Sequence, residues 1–289
     1  MRSLPETPGL CLEANMKILW QDIFTPRLPF TDKSQVLWDG LVRLADRVKS
    51  KETEITFAWL DKSSELNWYP YLEMMNDLEI IDRVLKAEQE GYDAVIVGCY
   101  CDPGVREARG LVDIPVIALS EASMAVAQML GARFAVVTVW ESYVPIMEKN
   151  LRLYGWESRA IAKQPVRYFN MDWNKFIRAI EGDRDGLLAE FEPVALSCIE
   201  DGADVIVVGC GYLGPVLTLL NYHEIRGTKV PVIDCGSVGI AAAEAMAGLH
   251  RRTGMMPSRH VTSPYPRPPA KKLAAIRERF GFAAKGGSK

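Results

Sequence analysis

The chain has 289 residues, 48% of them hydrophobic and 25% charged, which is the composition of a globular protein with enough apolar material for a sizeable core. A formal net charge of −3 gives no overall attraction for nucleic acid or an anionic membrane, and apolar runs such as 94–98 and 205–209 are far too short to span a bilayer. Six cysteines, at positions 11, 99, 101, 198, 210 and 235, are scattered along the chain with no secretory hydrophobic segment, which favours reduced thiols in a cytoplasmic protein over a disulfide framework.

Residues 1–15 are polar and irregular and read as a loose leader. A short apolar strand follows over 17–20, then a helix over 35–50 with Val36, Leu37, Leu41, Leu44, Ala45 and Val48 at helical spacing. Ile55, Phe57 and Trp59 alternate as a strand, and Leu78, Ile81, Val84 and Leu85 mark the buried stripe of the next helix. Further strands are predicted near 94–97, 116–119, 134–139, 205–208 and 232–234, with helices over 122–130, 143–154, 187–200 and 238–250. The proline-rich stretch 257–269 reads as a surface connection to a final helix over 270–280, and 283–289 as a frayed end. Strands alternating with helices of this length predict an α/β fold, a mainly parallel sheet flanked by helices.

One unit occurs twice. Gly91-Tyr92-Asp93-Ala94-Val95-Ile96-Val97-Gly98-Cys99 returns as Gly202-Ala203-Asp204-Val205-Ile206-Val207-Val208-Gly209-Cys210, and each copy is followed by Pro-Val-Ile, at Pro115 and Pro231. The copies lie 111 positions apart, about the length of a small α/β unit, so two similar lobes related by a pseudo-twofold axis are expected. Residues 16–119 with 236–289 would form lobe one and 120–235 lobe two. In such sheets ligands bind beyond the carboxyl ends of strands, where both Gly-Cys pairs fall, so the site is expected in the cleft between the lobes.

A free cysteine is often an inert core residue. Two thiols at equivalent strand ends of a repeated unit are harder to assign to packing, which Val or Ala would serve as well. Backbone N–H groups at a strand end favour a thiolate and hold an anion. Two opposed thiols suit removal of a proton from one face of a carbon and its return to the other. Cys101 is either a packing residue or part of a Cys-x-Cys pair, and no His or paired Cys at ligand spacing accompanies it. Cys198 falls on an apolar helix face, and Cys235 closes a strand. His223, His250 and His260 form no triad with Ser and Asp, and the glycines form neither GxGxxG nor a P-loop. Ser120, Ser123 and Thr138 offer short hydroxyls near strand ends, with helix capping as the alternative role of Ser120. Trp59, Trp68, Tyr69 and Tyr71 are either an aromatic wall for a ring-bearing ligand or core and interface packing.

Val95-Ile96-Val97-Gly98-Cys99-Tyr100-Cys101-Asp102-Pro103-Gly104, with Ala108-Arg109, Asp113-Ile114-Pro115-Val116 and Glu121-Ala122, resembles the hydantoin racemase branch of the aspartate/glutamate racemase superfamily. The resemblance continues through Arg133-Phe134-Ala135-Val136-Val137-Thr138, Val144-Pro145-Ile146 and Tyr154-Gly155 to Gly209-Cys210, about half the chain. It implies a cofactor-independent racemase of a 5-substituted hydantoin or allantoin-like ring, with Cys99 and Cys210 as the acid/base pair and no metal, pyridoxal phosphate or nicotinamide. It also implies a small-molecule substrate and a homo-oligomer. Where hydantoin racemases carry an Asn-Pro-Asn loop after the first strand, this chain has Gln21-Asp22-Ile23-Phe24-Thr25-Pro26, so Gln21 and Thr25 become the candidate donors there. The hydroxyl and the Thr-His pair that amino-acid racemases place beside their two cysteines are replaced by Tyr100-Cys101 and Gly211-Tyr212. The substrate-contacting candidates are therefore Gln21, Thr25, Tyr100, Cys101, Ser120, Thr138, Gly211 and Tyr212. Two rivals stay open: decarboxylation or cis–trans isomerisation of a small dicarboxylate on the same scaffold, and a thiol redox or small-ligand binding protein using Cys99 and Cys101.

Overall fold

Strands that are apolar on both faces have to be covered on both faces, and this sets the layering of the molecule. The computed structural model describes residues 15–29 and 31–282; the loose leader with Cys11 and the frayed end lie outside these. The first half runs β1 (Met16–Gln21), α1 (Ser34–Val48), β2 (Thr53–Ala58), α2 (Pro70–Gln89), β3 (Ala94–Val97), α3 (Val105–Arg109) and β4 (Val116–Ala118). Its sheet is parallel throughout, in the order β2-β1-β3-β4.

After α4 (Leu119–Leu130), the second half runs β5 (Phe134–Val139), α5 (Val144–Leu153), β6 (Val166–Phe169), α6 (Trp173–Ile180), α7 (Asp185–Glu200), β7 (Val205–Val208), α8 (Leu213–Leu219), β8 (Glu224–Ile225) and β9 (Val230–Asp234). Its order is β6-β5-β7-β9-β8, with only the two-residue β8 antiparallel. Without β8 this repeats the first sheet strand for strand, β5 standing for β1 and β7 for β3. The expected α/β architecture of parallel sheets flanked by helices is thus found. Every residue of β3, β5 and β7 is buried, which is why these segments read as unbroken apolar runs.

Two helices cross between the halves. α4 leaves the first sheet and packs on β5, β7 and β9, while α9 (Cys235–Thr253) leaves the second and packs on β1, β3 and β4. They also pack on each other, and Gly239 permits it, since a Cβ there would run into the side chain of Leu119. Behind α9, Arg259 donates to the carbonyls of Arg109 and Val112, and Arg267 pairs with Asp113 (2.7 Å), tying the proline-rich stretch down ahead of α10 (Ala270–Arg279).

The structure differs from the sequence reading at several elements. β6, α6 and α8 were not predicted: β6 is four residues with Arg167 in its middle, α6 only eight, and Pro215 in α8 looks like a breaker. Proline is tolerated there because the first-turn N–H groups have no partner within the helix. In α2, Leu78 is 48% exposed, and the inward stripe is Asn76, Ile80, Val84 and Ala87. On that inward face the side-chain oxygen of Asn76 accepts the Ser64 N–H (2.9 Å), tying the helix to the loop before it.

A side chain at the α4–α9 crossing has to push the helices apart. Gly239→Val is expected to lower the free energy of unfolding by about 1–3 kcal/mol, measured by urea denaturation.

Candidate active site

The two Gly-Cys units follow β3 and β7, which hold the same place in the two sheets, and the backbone holds them the same way. Gly98 donates its N–H to the Gln21 carbonyl (2.7 Å) and Gly209 donates to Val137 (2.8 Å). Each glycine is required by crowding: a Cβ at Gly98 would collide with the Trp20 indole, and at Gly209 it would sit 2.7 Å from Val136 and 2.9 Å from the Met147 sulfur. The turns also meet each other. A Cβ on Gly211 would lie 2.5 Å from the Gly98 carbonyl oxygen, so the halves approach here at backbone distance.

Cys99 and Cys210 both line the cavity at this junction, each half-buried. Their sulfurs are cradled alike. The Cys101 N–H donates to Cys99 Sγ (3.4 Å), and the N–H groups of Tyr212 and Leu213 point at Cys210. Burial pushes the Cys210 thiol up to about 11 against those two donors, with smaller upward contributions from Cys99 and Asp22. The Cys101 thiol, hydrogen-bonded to Cys99 and buried, is pushed well above the ordinary range.

Asp22 and Trp140 hold equivalent places, each just past the end of the strand that follows the lobe's entry. Asp22 N–H donates to Ala58 O (2.8 Å), and Trp140 N–H to Phe169 O (3.0 Å). Asp22 is 1% exposed; one oxygen accepts from the Ile23 N–H (2.8 Å), the Phe24 N–H (3.1 Å) and the Tyr212 hydroxyl (2.8 Å). That last bond crosses from one half to the other beside Cys210. Burial dominates these donors and raises the Asp22 carboxyl from 3.8 to about 6. Trp140 instead sits at φ 57°, ψ 140°, a region bulky residues avoid at a cost of about 1–3 kcal/mol.

The Trp140 indole stacks on Tyr143 (6.0 Å, 29°) and lies 5.7 Å from Trp173 at 49°. The Tyr143 hydroxyl donates to Asn67 (2.9 Å), a second bond across the cleft. With Met147, Met171, Ile23 and Phe24 these rings line the same cavity as the Gly-Cys turns. The space inside that the centre of a water molecule can occupy is about 50 Å³, so the cavity is small.

The loop after Cys99 is fixed by Asp102. Its carboxylate accepts from the Ser120 N–H (3.0 Å) and hydroxyl, the Glu121 N–H (3.3 Å) and the Tyr154 hydroxyl (3.0 Å), so a residue remote in sequence caps α4. Asn150 binds the same unit through the Cys101 carbonyl (3.1 Å). Burial raises Asp102 from 3.8 to about 6.

The model of the family described as Asp/Glu/hydantoin racemase matches residues 39–243. The chain belongs to this family. A hydantoin racemase from Pseudomonas sp. (strain NS671) is 30% identical over 211 residues, 73% of this chain and 78% of that protein. Among solved structures, the allantoin racemase from Pseudomonas fluorescens superposes with a TM-score of 0.70 at 26% identity, covering 88% of this chain and 97% of that one. The allantoin racemase from Klebsiella pneumoniae gives a TM-score of 0.73 at 22% identity, over 93% and 99%, a likeness of fold.

Of the residues singled out in the sequence, the structure brings Cys99, Tyr100, Cys101, Cys210, Gly211 and Tyr212 to the cavity of this family member. Four others stand elsewhere. Gln21 is fully buried behind the lining, its amide nitrogen donating to the Asp22 carbonyl (2.8 Å). The Thr25 hydroxyl turns away to close a local turn on Arg27 O (2.8 Å). Ser120 is taken up by Asp102, and Thr138 donates to the Gly209 carbonyl (2.8 Å), bracing the second Gly-Cys unit. Ser120 does not cap its own helix, because α4 starts at Leu119. Among the other cysteines, Cys235 lies behind Cys210, its thiol donating to the Cys210 carbonyl (3.3 Å), and Cys198 is core on α7. Among the described residues no group of three or more His, Cys, Asp or Glu is gathered to hold a metal, and no helix is long and apolar enough to cross a membrane.

The aromatic wall comes from residues the sequence reading missed. Trp59 packs on Trp38 (5.5 Å), Tyr69 and Tyr71 are exposed, and only Trp68 reaches the wall, through Tyr143 (5.9 Å). Trp140 was legible as the residue following the β5 run, the counterpart of the loop after β1. Trp173, beside the capping Asp172, opens a helix of only eight residues, too short to give a periodic signal.

Asp22 and Asp102 keep their protons in the folded chain at pH values where the unfolded chain has released them. The folded state therefore binds more protons, and their contribution to stability falls as pH rises from about 4 to about 6, by at most about 3 kcal/mol for each two-unit shift. Asp22→Asn keeps an acceptor for Tyr212 and removes the buried charge. Its unfolding midpoint is expected to drop less than that of the unmodified chain between pH 4.5 and 7. Loss of a nearby negative charge is also expected to move Cys210 alkylation to lower pH, read by mass spectrometry of the Cys210 peptide.

Proposed function

We propose that the protein is a cofactor-independent racemase of a small carbonyl-activated carbon acid, a 5-substituted hydantoin or allantoin-like ring, with Cys99 and Cys210 as a two-base pair. The observation that carries this reading is that the two cysteines of the repeated unit, one from each half, line a single cavity. Family membership supports the reaction class, and relatives named hydantoin racemase and allantoin racemase support the ring.

Cys99 as thiolate takes the proton from C5, and Cys210 delivers one to the opposite face. Burial keeps Cys210 a thiol at neutral pH, as an acid must be. When its proton leaves, the N–H groups of Tyr212 and Leu213 receive the new thiolate. The enolate-like intermediate forms in a cavity walled by apolar side chains, which exclude water and strengthen the backbone dipoles around the two sulfurs. The reverse turnover exchanges the roles of the cysteines. A hydantoin C5 is acidified by a carbonyl next to it that bears no full negative charge, so two thiols suffice where an amino-acid carboxylate would demand more.

Cys99→Ser and Cys210→Ser are each expected to reduce racemisation by about 10²–10⁴-fold or more while circular dichroism stays unchanged, because a hydroxyl is a far weaker acid than a thiol. Each single variant is expected to retain deuterium wash-out from one enantiomer in D₂O, its remaining thiol removing and returning a proton on one face. Full racemisation by either variant would refute the two-base scheme.

Iodoacetamide is expected to abolish activity, with substrate slowing the loss, and chelators to leave it intact. Loss of activity on metal removal, with recovery on adding zinc, would overturn this reading.

A further inference from the structure

The cavity that holds Cys99 is lined by apolar side chains, tyrosines and cysteines, with no Lys, Arg or His among the described lining residues. The titratable groups that bear on Cys99 or Cys101 are Glu73 on α2, Tyr100 and Asp102 in their own loop, Tyr143 ahead of α5, Cys210 and Tyr212 after β7, and Cys235 at the start of α9. None of these can carry positive charge, and the charge of Lys149, on α5, acts on Glu73. A thiolate at Cys99 must therefore be held by hydrogen-bond donors. Both donors come from one residue. The Cys101 N–H points at Cys99 Sγ (3.4 Å), and the Cys101 thiol is hydrogen-bonded to Cys99 as well. Burial decides which thiol keeps its proton: Cys101 is 6% exposed with Glu73 and Asp102 opposing charge on it, whereas Cys99 is half-buried at the cavity. Cys101 is the donor. It is also held still, its carbonyl accepting from the Asn150 side chain (3.1 Å) while the next residue, Asp102, is bound by Ser120 and Tyr154. The repeat gives Cys210 no equivalent, since the residue two places on is Tyr212 and its hydroxyl goes to Asp22 (2.8 Å).

We infer that Cys101 is the positioning residue of the first base: its thiol donates to the Cys99 sulfur and maintains the thiolate that takes the substrate proton. This rests on the racemase reading above. Cys101 keeps its own proton throughout. When Cys99 takes the proton from C5, the Cys101 S–H loses a charged acceptor and its bond weakens, and when Cys99 returns a proton the bond is regained. A donor that holds a thiolate makes it a weaker base, yet it also raises the fraction present at neutral pH. The second effect is the larger, because thiolate reactivity follows basicity with a slope of only about 0.4–0.5. A hydrogen bond thus does at Cys99 what a neighbouring cation does for other reactive cysteines, without placing a positive charge in an apolar cavity.

The test reads Cys99 directly. Iodoacetamide is applied without substrate from about pH 6 to about pH 10, and fragment ions of the peptide shared by Cys99 and Cys101 locate the label. Cys101→Ala is expected to raise the pH of half-maximal Cys99 alkylation by about one unit, a tenfold loss of thiolate at neutral pH, with Cys210 unmoved. Cys101→Val, which fills the space without a donor, is expected to match it. Racemisation of 5-methylhydantoin by either variant is expected to fall about three- to tenfold in kcat/KM at pH 7 and to recover at about pH 10, a recovery that a displaced or loosened site does not give. Cys101→Ser keeps a donor and is expected to restore most of both. Circular dichroism reports whether each variant is folded. An unmoved pH for Cys99 alkylation in the folded Ala or Val variant, or a shift in Cys101→Ser as large as theirs, overturns the inference and leaves the racemase reading standing. An unmodified chain that exchanges C5 of no hydantoin in D₂O at any pH overturns both.

Discussion

The rest of the site depends on one close approach, the meeting of the two Gly-Cys turns with Gly211 packed on the Gly98 carbonyl. A side chain on Gly211 would separate the turns, and a side chain on Gly98 or Gly209 would displace the Trp20 indole or the Met147 sulfur. Glycine is used here for proximity of backbone to backbone, not for an unusual torsion. Because the turns touch, the residue following each glycine is delivered to the same small volume, and two thiols 111 positions apart in sequence become neighbours.

That contact is held from outside by exchange of helices and from inside by polar bonds across the cleft. α4 and α9 each cover the sheet of the other half and pack together at Gly239, so the halves cannot separate without exposing apolar helix faces. Inside, Tyr212 donates to Asp22 and Tyr143 to Asn67, both tyrosines in the second half and both acceptors in the first. These are buried bonds, and breaking one leaves a desolvated oxygen behind, which makes their geometry specific even where their net contribution is small. Asp102, gripping the start of α4 and Tyr154, fixes the loop that carries Cys101.

Repetition supplies the paired thiols and departure from repetition supplies the asymmetry. Asp22 and Trp140 occupy the same backbone place in the two halves, yet one is a buried carboxyl pushed up to about 6 and the other an indole on a strained backbone. Both carry a cost to stability, desolvation in one case and torsion in the other. Such costs concentrate at functional sites because the surrounding fold can offset them.

The amino-acid sequence by itself determined the α/β class, the repeated unit, and Cys99 and Cys210 as the pair to watch. These follow from local physics: buried parallel strands must be apolar runs, and a strand end must carry a residue that tolerates crowding. What only the tertiary structure decided was which polar groups face the cavity. Ser120 and Thr138 are short hydroxyls near strand ends in sequence, yet Asp102 and the Gly209 carbonyl claim them, and those partners lie 18 and 71 residues away. The aromatic wall was hidden for the same reason. Trp140 and Trp173 come from either side of β6, a short edge strand with little periodicity of its own, and they meet only because β5 and β6 pair. Periodicity reports which face of an element is buried, whereas a site is made of side chains from different elements, and their meeting is fixed by packing at long range.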